Sequence, residues 1–152
     1  MSVLFNEQQQ ATINQAMQLL ENTLRSPGEL FTRSQIAKDW CCLAMAGQER
    51  EVFMVLYLDN QNRLLASETL FLGTLNCTTV YAREVVKAGL CHNAGAVILA
   101  HNHPSGDTTP SRADRDITDQ LAKALNLVDI RVLDHVIVGG SQVMSFSEQG
   151  LL

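Results

Sequence analysis

Two histidines one residue apart open the stretch of this chain that could do chemistry. The stretch runs His101-Asn102-His103-Pro104-Ser105-Gly106-Asp107-Thr108-Thr109-Pro110-Ser111-Arg112-Ala113-Asp114. Side chains alternate faces along a strand, so His101 and His103 project from the same face. Two imidazoles so placed can both reach one metal ion. A catalytic zinc has three protein ligands and keeps a fourth position for water. Asp114 can supply the third ligand, because the loop after His103 is long enough to fold back. Two neutral imidazoles and a carboxylate suit a zinc that must polarise water.

A plainer account competes for the same residues. Ser111-Arg112-Ala113-Asp114 fits the [ST]-x-x-[DE] capping box, in which Asp114 only bonds the start of a helix. A histidine like His101, taken alone, is more often a satisfied buried residue than a ligand. Capping does not supply the whole combination. That combination is two histidines on one strand face, a break by proline and glycine, and a serine and carboxylate opening the next helix.

These residues need elements to position them. Ala96 to Ala100 is apolar and sits within a short buried strand over Gly95 to His101. Pro104 has no N–H to give a sheet and ends that strand. Ser111 to about Asn126 reads as a helix with Ile117, Leu121, Ala124 and Leu125 on one face. Upstream, Val52 to Leu58 is continuously apolar, as in a central strand. A turn at Asp59 to Asn62 returns the chain through Arg63 to Leu72 as an antiparallel hairpin. A helix capped near Thr79 runs through about Leu90. Ile130 to Val138 is a strand, Gly139-Gly140 a tight turn, and Gln142 to Phe146 a last strand. The first 46 residues hold two helices, one over 7–25 and one from an N-cap at Ser34 to about Met45, closed by Gly47. The sum is an α+β or three-layer α/β/α domain with a largely antiparallel sheet.

Composition agrees with one self-sufficient domain. A chain of 152 residues buries roughly 68–70% of its unfolded surface and needs no metal to fold. The start has no basic region followed by a long apolar one, as a secretory signal requires. No apolar run is long enough to cross a membrane. A cytoplasmic location and reduced thiols are expected. Sixteen acids against eleven bases give a net charge of −5, which disfavours non-specific DNA binding. Aromatics at 5% argue against a stacking platform for single strands. Cys41, Cys42, Cys77 and Cys91 form no C-x-x-C, and helical neighbours such as Cys41 and Cys42 point apart.

The H-x-H, seven residues, S-x-x-D pattern resembles the JAB/MPN (JAMM) metalloproteases. HNHPSG followed by PS and D, with LDN and NRLL upstream and LDHVIVG downstream, resembles the RadC-like branch of that superfamily. The resemblance covers roughly residue 47 to the end. Longer RadC-like proteins add a helix-hairpin-helix region, and this chain looks like the short form without it. The division expected is a helical segment over 1–46 and a metallohydrolase domain over 47–152. The implied fold is the JAB/MPN cytidine-deaminase-like three-layer domain. The implied site is one zinc on His101, His103 and Asp114, with Ser111 near the metal water or the oxyanion. The family also needs a glutamate at the start of an earlier strand as general acid/base. Glu51 is the candidate and Glu49 the runner-up.

The function so implied is a zinc-dependent hydrolase, a metallopeptidase or isopeptidase-like enzyme acting on a peptide or protein. A catalytically silent JAB-fold interaction module, linked to DNA-repair or prophage functions, is the alternative. A zinc nucleobase deaminase would show H-x-E and a later P-C-x-x-C, and this chain has neither. Nucleic-acid and membrane partners are not expected, and the oligomeric state is open. Other conspicuous residues read as structural. His135 lies in an apolar strand and would pair with Asp134 or a backbone carbonyl. His92 suits a helix C-terminus. Asn102 points to the opposite strand face and would position its neighbours. Arg83 and Glu84 open a helix in solvent, though Arg83 could touch substrate. Asp107 forms a turn, and Cys77 has nothing nearby to favour its thiolate.

Overall fold

The computed structural model describes residues 4–27, 30–73 and 79–152, and of residues 30–33 the backbone alone. Cys77 lies outside the described residues. Two helices come first, α1 (Glu7–Leu24) and α2 (Leu30–Ala44). Asn6 and Gln9 close a capping box at the start of α1. The expected N-cap at Ser34 is wrong: α2 starts at Leu30 and runs through Ser34. Serine marks a helix start only where the chain before it is not helical, and here it is.

The strands β1 (Val52–Leu58), β2 (Leu64–Leu72), β3 (Ala96–Asn102), β4 (Arg131–Gly139) and β5 (Gln142–Ser145) form one sheet. Its order is β2-β1-β3-β4-β5. Among the described residues, only the β3–β4 pair is parallel. Helix α3 (Ala82–Cys91) precedes β3, and α4 (Arg112–Asn126) joins β3 to β4. Thr79 does not cap α3. The N-cap is Tyr81, without a side-chain bond.

All seven residues of β1 are buried, which is why the strand is apolar without alternation. Met54, Leu56 and Leu58 face Leu24, Ala37, Trp40 and Cys41 of α1 and α2. Phe53, Val55 and Tyr57 face Val85 of α3 and Leu121 and Leu125 of α4. The result is three layers, with a helix pair on each side of the sheet. Each large side chain buried this way contributes about 1.5–3 kcal/mol. Alternation along β3 puts Val97 and Leu99 on the α3/α4 side with His101 following them, and Ala96 and Ala100 on the other.

Strand β4 breaks this alternation. Val97 pairs with Val132 but Ile98 pairs with Asp134, so Leu133 is an extra residue in a bulge. Val132 packs toward α3 and α4, whereas Leu133 and Val136 pack toward α1 and α2. The bulge shifts the phase by one residue and turns His135 to the face of His101.

The loop after β3 packs against the end of β4. A Cβ at Gly139 would lie 2.4 Å from the Gly106 carbonyl oxygen and 2.8 Å from Thr108 Cγ2. Backbone cannot yield as a flexible side chain does, so Gly139→Ala is expected to destabilise the protein by about 1–3 kcal/mol. Urea unfolding at constant m-value measures this, and an unchanged midpoint would contradict the packing described.

Candidate metal centre

The strand ends bring four side chains to one place. His101 is the penultimate residue of β3, and Asn102 is the last. His103 continues the pairing, its N–H donating to the Val138 carbonyl at 2.8 Å. The β1–β3 register sets Phe53 against His101, which carries Glu51 alongside His103. Asp114 sits in the first turn of α4, where the motif loop delivers it. Among the described residues, Glu51, His101, His103 and Asp114 are the group that could hold a metal ion. Their ligand atoms all lie within 4.8 Å of one another. Glu49 is exposed and outside that group.

Within the group, three residues are closer still. His101 Nε2 lies 3.1 Å from Asp114 Oδ1, and His103 Nε2 lies 3.3 Å from Asp114 Oδ2. The two Nε2 atoms are 3.0 Å apart. A tetrahedral ion bound at about 2.0–2.1 Å holds its ligand atoms roughly 3.3 Å apart. The donor set and its spacing therefore fit a metal ion.

The capping box and the cluster turn out to share Asp114. Ser111 Oγ accepts from the Asp114 N–H at 3.1 Å, and the Ser111 N–H donates to Asp114 Oδ2 at 2.7 Å. The cap fixes the carboxylate rotamer, and the carboxylate then faces the histidines. Burial alone would raise the Asp114 carboxyl. The neighbouring His101 and His103 and the Ser111 N–H outweigh burial and hold it well below the usual carboxylate range. The bond to Asp114 raises the His103 imidazole against a smaller opposing effect of burial.

Each histidine is held from behind. His103 Nδ1 donates to the Asp107 carbonyl at 2.6 Å, so Asp107 does more than form a turn. His101 Nδ1 lies 2.8 Å from His135 Nε2. His135 Nδ1 lies 2.5 Å from the Thr118 hydroxyl, which donates to the Asp114 carbonyl at 2.5 Å. Burial holds the His135 ring well below the ordinary histidine range, with the neighbouring His101 acting in the same sense. His135 does pair with Asp134, but its ring meets His101 and Thr118 instead. Only the His135 backbone N–H reaches Asp134. The bulge in β4 is the reason, and Thr118 carried no signal of its own in the sequence.

Asn102 acts on the other face, as its position in the strand implies. Its Oδ1 accepts from the Val52 N–H at 2.7 Å and its Nδ2 donates to the Arg50 carbonyl at 3.0 Å. The two bonds bracket Glu51. His92 caps α3 and pairs with the Glu68 carboxylate of β2. Arg83 and Glu84 lie side by side in solvent. Cys41 is buried, which pushes its thiol up to about 12.

A mixed, mostly antiparallel five-stranded sheet between helices, with this cluster at its strand ends, defines a JAB/MPN-class domain. A family model described as "RadC-like JAB domain" matches residues 31–151, and the chain belongs to that family. The UPF0758 protein YeeS of Escherichia coli (strain K12) is 59% identical over 144 residues, 95% of this chain and 97% of that protein. The UPF0758 protein YfjY of the same organism is 61% identical over 143 residues, 94% and 89% of the two chains. A longer UPF0758 protein of Pseudoalteromonas translucida (strain TAC 125) is 58% identical over 123 residues, 81% of this chain and 55% of that protein. No helix among the described residues is long and apolar enough to cross a membrane.

Asn102→Ala leaves the Val52 N–H and the Arg50 carbonyl without these partners, and should cost about 1–3 kcal/mol in urea unfolding. In protein stripped of metal, pH acts on the same cluster. The lowered Asp114 contributes stability above about pH 3.9 and loses it as pH falls toward its folded value. The raised His103 contributes fully below about pH 6.5 and loses its share as pH rises through its folded value. Urea midpoints should therefore fall on the alkaline side as His103 gives up its proton, and on the acid side from about pH 6.5 downward, where the lowered His135 opposes protonation and Asp114 adds its own loss below about pH 3.9. In His103→Gln the alkaline decline should shrink, and an identical profile would contradict the pairing.

Proposed function

We propose that the chain is a zinc-dependent hydrolase, a metallopeptidase or isopeptidase-like enzyme with one zinc per chain. The observation that carries this reading is the convergence of Glu51 with His101, His103 and Asp114. Three neutral or anionic donors of this kind suit zinc, and a carboxylate beside them suits general acid/base work. His101, His103 and Asp114 hold the ion. Zinc, when bound, lowers the pKa of water from 15.7 toward about 7 and polarises a carbonyl. Glu51 takes the proton from the attacking water and passes it to the leaving amine as the amide bond breaks. Ser111 keeps its oxygen on the helix cap, and its O–H donates to the carbonyl oxygen as charge grows there.

The substrate class is a peptide or protein, and the setting a cytoplasmic bacterial one. The net charge of −5 gives duplex DNA no favourable surface field to bind. Elemental analysis combined with a peptidase screen tests the reading. His101→Ala and Asp114→Ala should lose zinc. Glu51→Ala should keep zinc and lose about 10²–10⁴-fold in turnover. Zinc retained by His101→Ala and Asp114→Ala would sink the site. Zinc in the native chain, without Glu51-dependent turnover of any amide, would favour the silent interaction module instead.

A further inference from the structure

We infer that His135 and Thr118 are positioning residues that set the tautomer of His101, so that His101 can offer only Nε2 to the cluster. The inference rests on reading that cluster as a metal centre, and it follows from a count of protons. The Asp114 carbonyl oxygen can only accept. Thr118 lies 2.5 Å from it, four residues along α4, so the single hydroxyl proton is committed there. The same hydroxyl lies 2.5 Å from His135 Nδ1 and, with its proton spent, can only accept. His135 Nδ1 therefore carries a proton.

The His135 ring is fully buried, stacked on Phe146 and edge-on to Phe53. A cationic ring at this depth needs an anion in direct contact. Among the described residues, its two nitrogens meet only a hydroxyl and another imidazole. The ring is neutral, and its Nε2 is a bare acceptor. That acceptor lies 2.8 Å from His101 Nδ1, which must be the donor. His101 therefore keeps a proton on Nδ1, and the nitrogen it can present is Nε2. That atom is the one beside Asp114 Oδ1 and His103 Nε2.

The chain of bonds starts on one ligand and ends on the backbone of another. Any shift of α4 that moves Asp114 also moves the group that orients His101. His103 reaches the same tautomer by a shorter route, since the carbonyl of Asp107 can only accept its Nδ1 proton. The buried ligand has no loop carbonyl in reach of its Nδ1 among these bonds, and the relay replaces one. Backing partners of this kind commonly change metal affinity by about 10–100-fold.

Two-bond proton–nitrogen NMR of the full chain, with labelled histidines, tests the inference directly. Spectra without metal and with added zinc should both show a neutral His135 protonated at Nδ1, and His101 protonated at Nδ1. Thr118→Val keeps the volume and removes the hydroxyl. It should move the His135 proton toward Nε2 and weaken zinc about 10–100-fold in competition with a chromophoric chelator. Thr118→Ser should restore both readouts. A wild-type His135 protonated at Nε2 overturns the inference. So does a Thr118→Val protein with native tautomers and native zinc affinity. Wild-type protein that shows these tautomers but takes up no zinc sinks the metal reading instead, and leaves the tautomer assignment standing.

Discussion

The Nε2 atoms of His101 and His103 lie 3.0 Å apart, and each lies 3.1–3.3 Å from a carboxylate oxygen of Asp114, all at the strand ends of a buried sheet. Such an arrangement is costly unless a proton or a cation lies among them. The fold nevertheless holds them there by forces that do not depend on the cluster itself. Backbone pairing fixes the end of β3 between β1 and β4. A helix cap fixes Asp114. Asn102 fixes the entry of β1 beside the cluster. A scaffold that spends its own stability to keep donors together is what a pre-organised site needs, because little reordering is then left for the ligand to drive.

The capping box shows how one residue serves two ends. In most helices a carboxylate at this position only quiets the unpaired N–H groups of the first turn. Here the Ser111 N–H takes one lone pair of Asp114 Oδ2 and leaves the rest of the carboxylate directed at the histidines. The structural and the chemical readings of Ser111-x-x-Asp114 are therefore not rivals. The cap makes the carboxylate rigid, and rigidity makes it a better ligand.

Much of this was legible in the sequence, and the misses have physical causes. The bounds of β1 follow from its unbroken apolar run, and α4 follows from its cap and its apolar face. His101, His103 and Asp114 could be grouped because strand alternation and loop length are local rules. Glu51 could not be separated from Glu49 by such rules, because the choice depends on where β1 meets β3 across more than forty residues of sequence. The start of α2 was misplaced because a good capping residue also lies comfortably inside a helix. The ring partners of His135 were not legible, because regular alternation from Ile130 and Val132 would send it toward α1 and α2. One extra residue at Leu133 reverses that, and nothing local in VLDHVIVG announces the bulge.

The same bulge sets which β4 side chains meet the N-terminal helices. Asp134 and His135 are adjacent and point to opposite faces of β4. Asp134, buried on the α1/α2 side, accepts from the Ser145 hydroxyl at 2.6 Å and from the N–H groups of His135 and Ser147. Burial raises its carboxyl, and these three bonds oppose that rise. The bond to the His135 N–H lies directly after the bulge, where the register resumes. Asp134 thus stabilises the one irregular turn of backbone on which the His135 orientation depends. Cys41 is buried on that same face, where the nearby Asp134 carboxylate adds to the burial that raises its thiol, so the α1/α2 layer and the residue that holds the bulge share one side of the sheet while His101 and the His135 ring share the other.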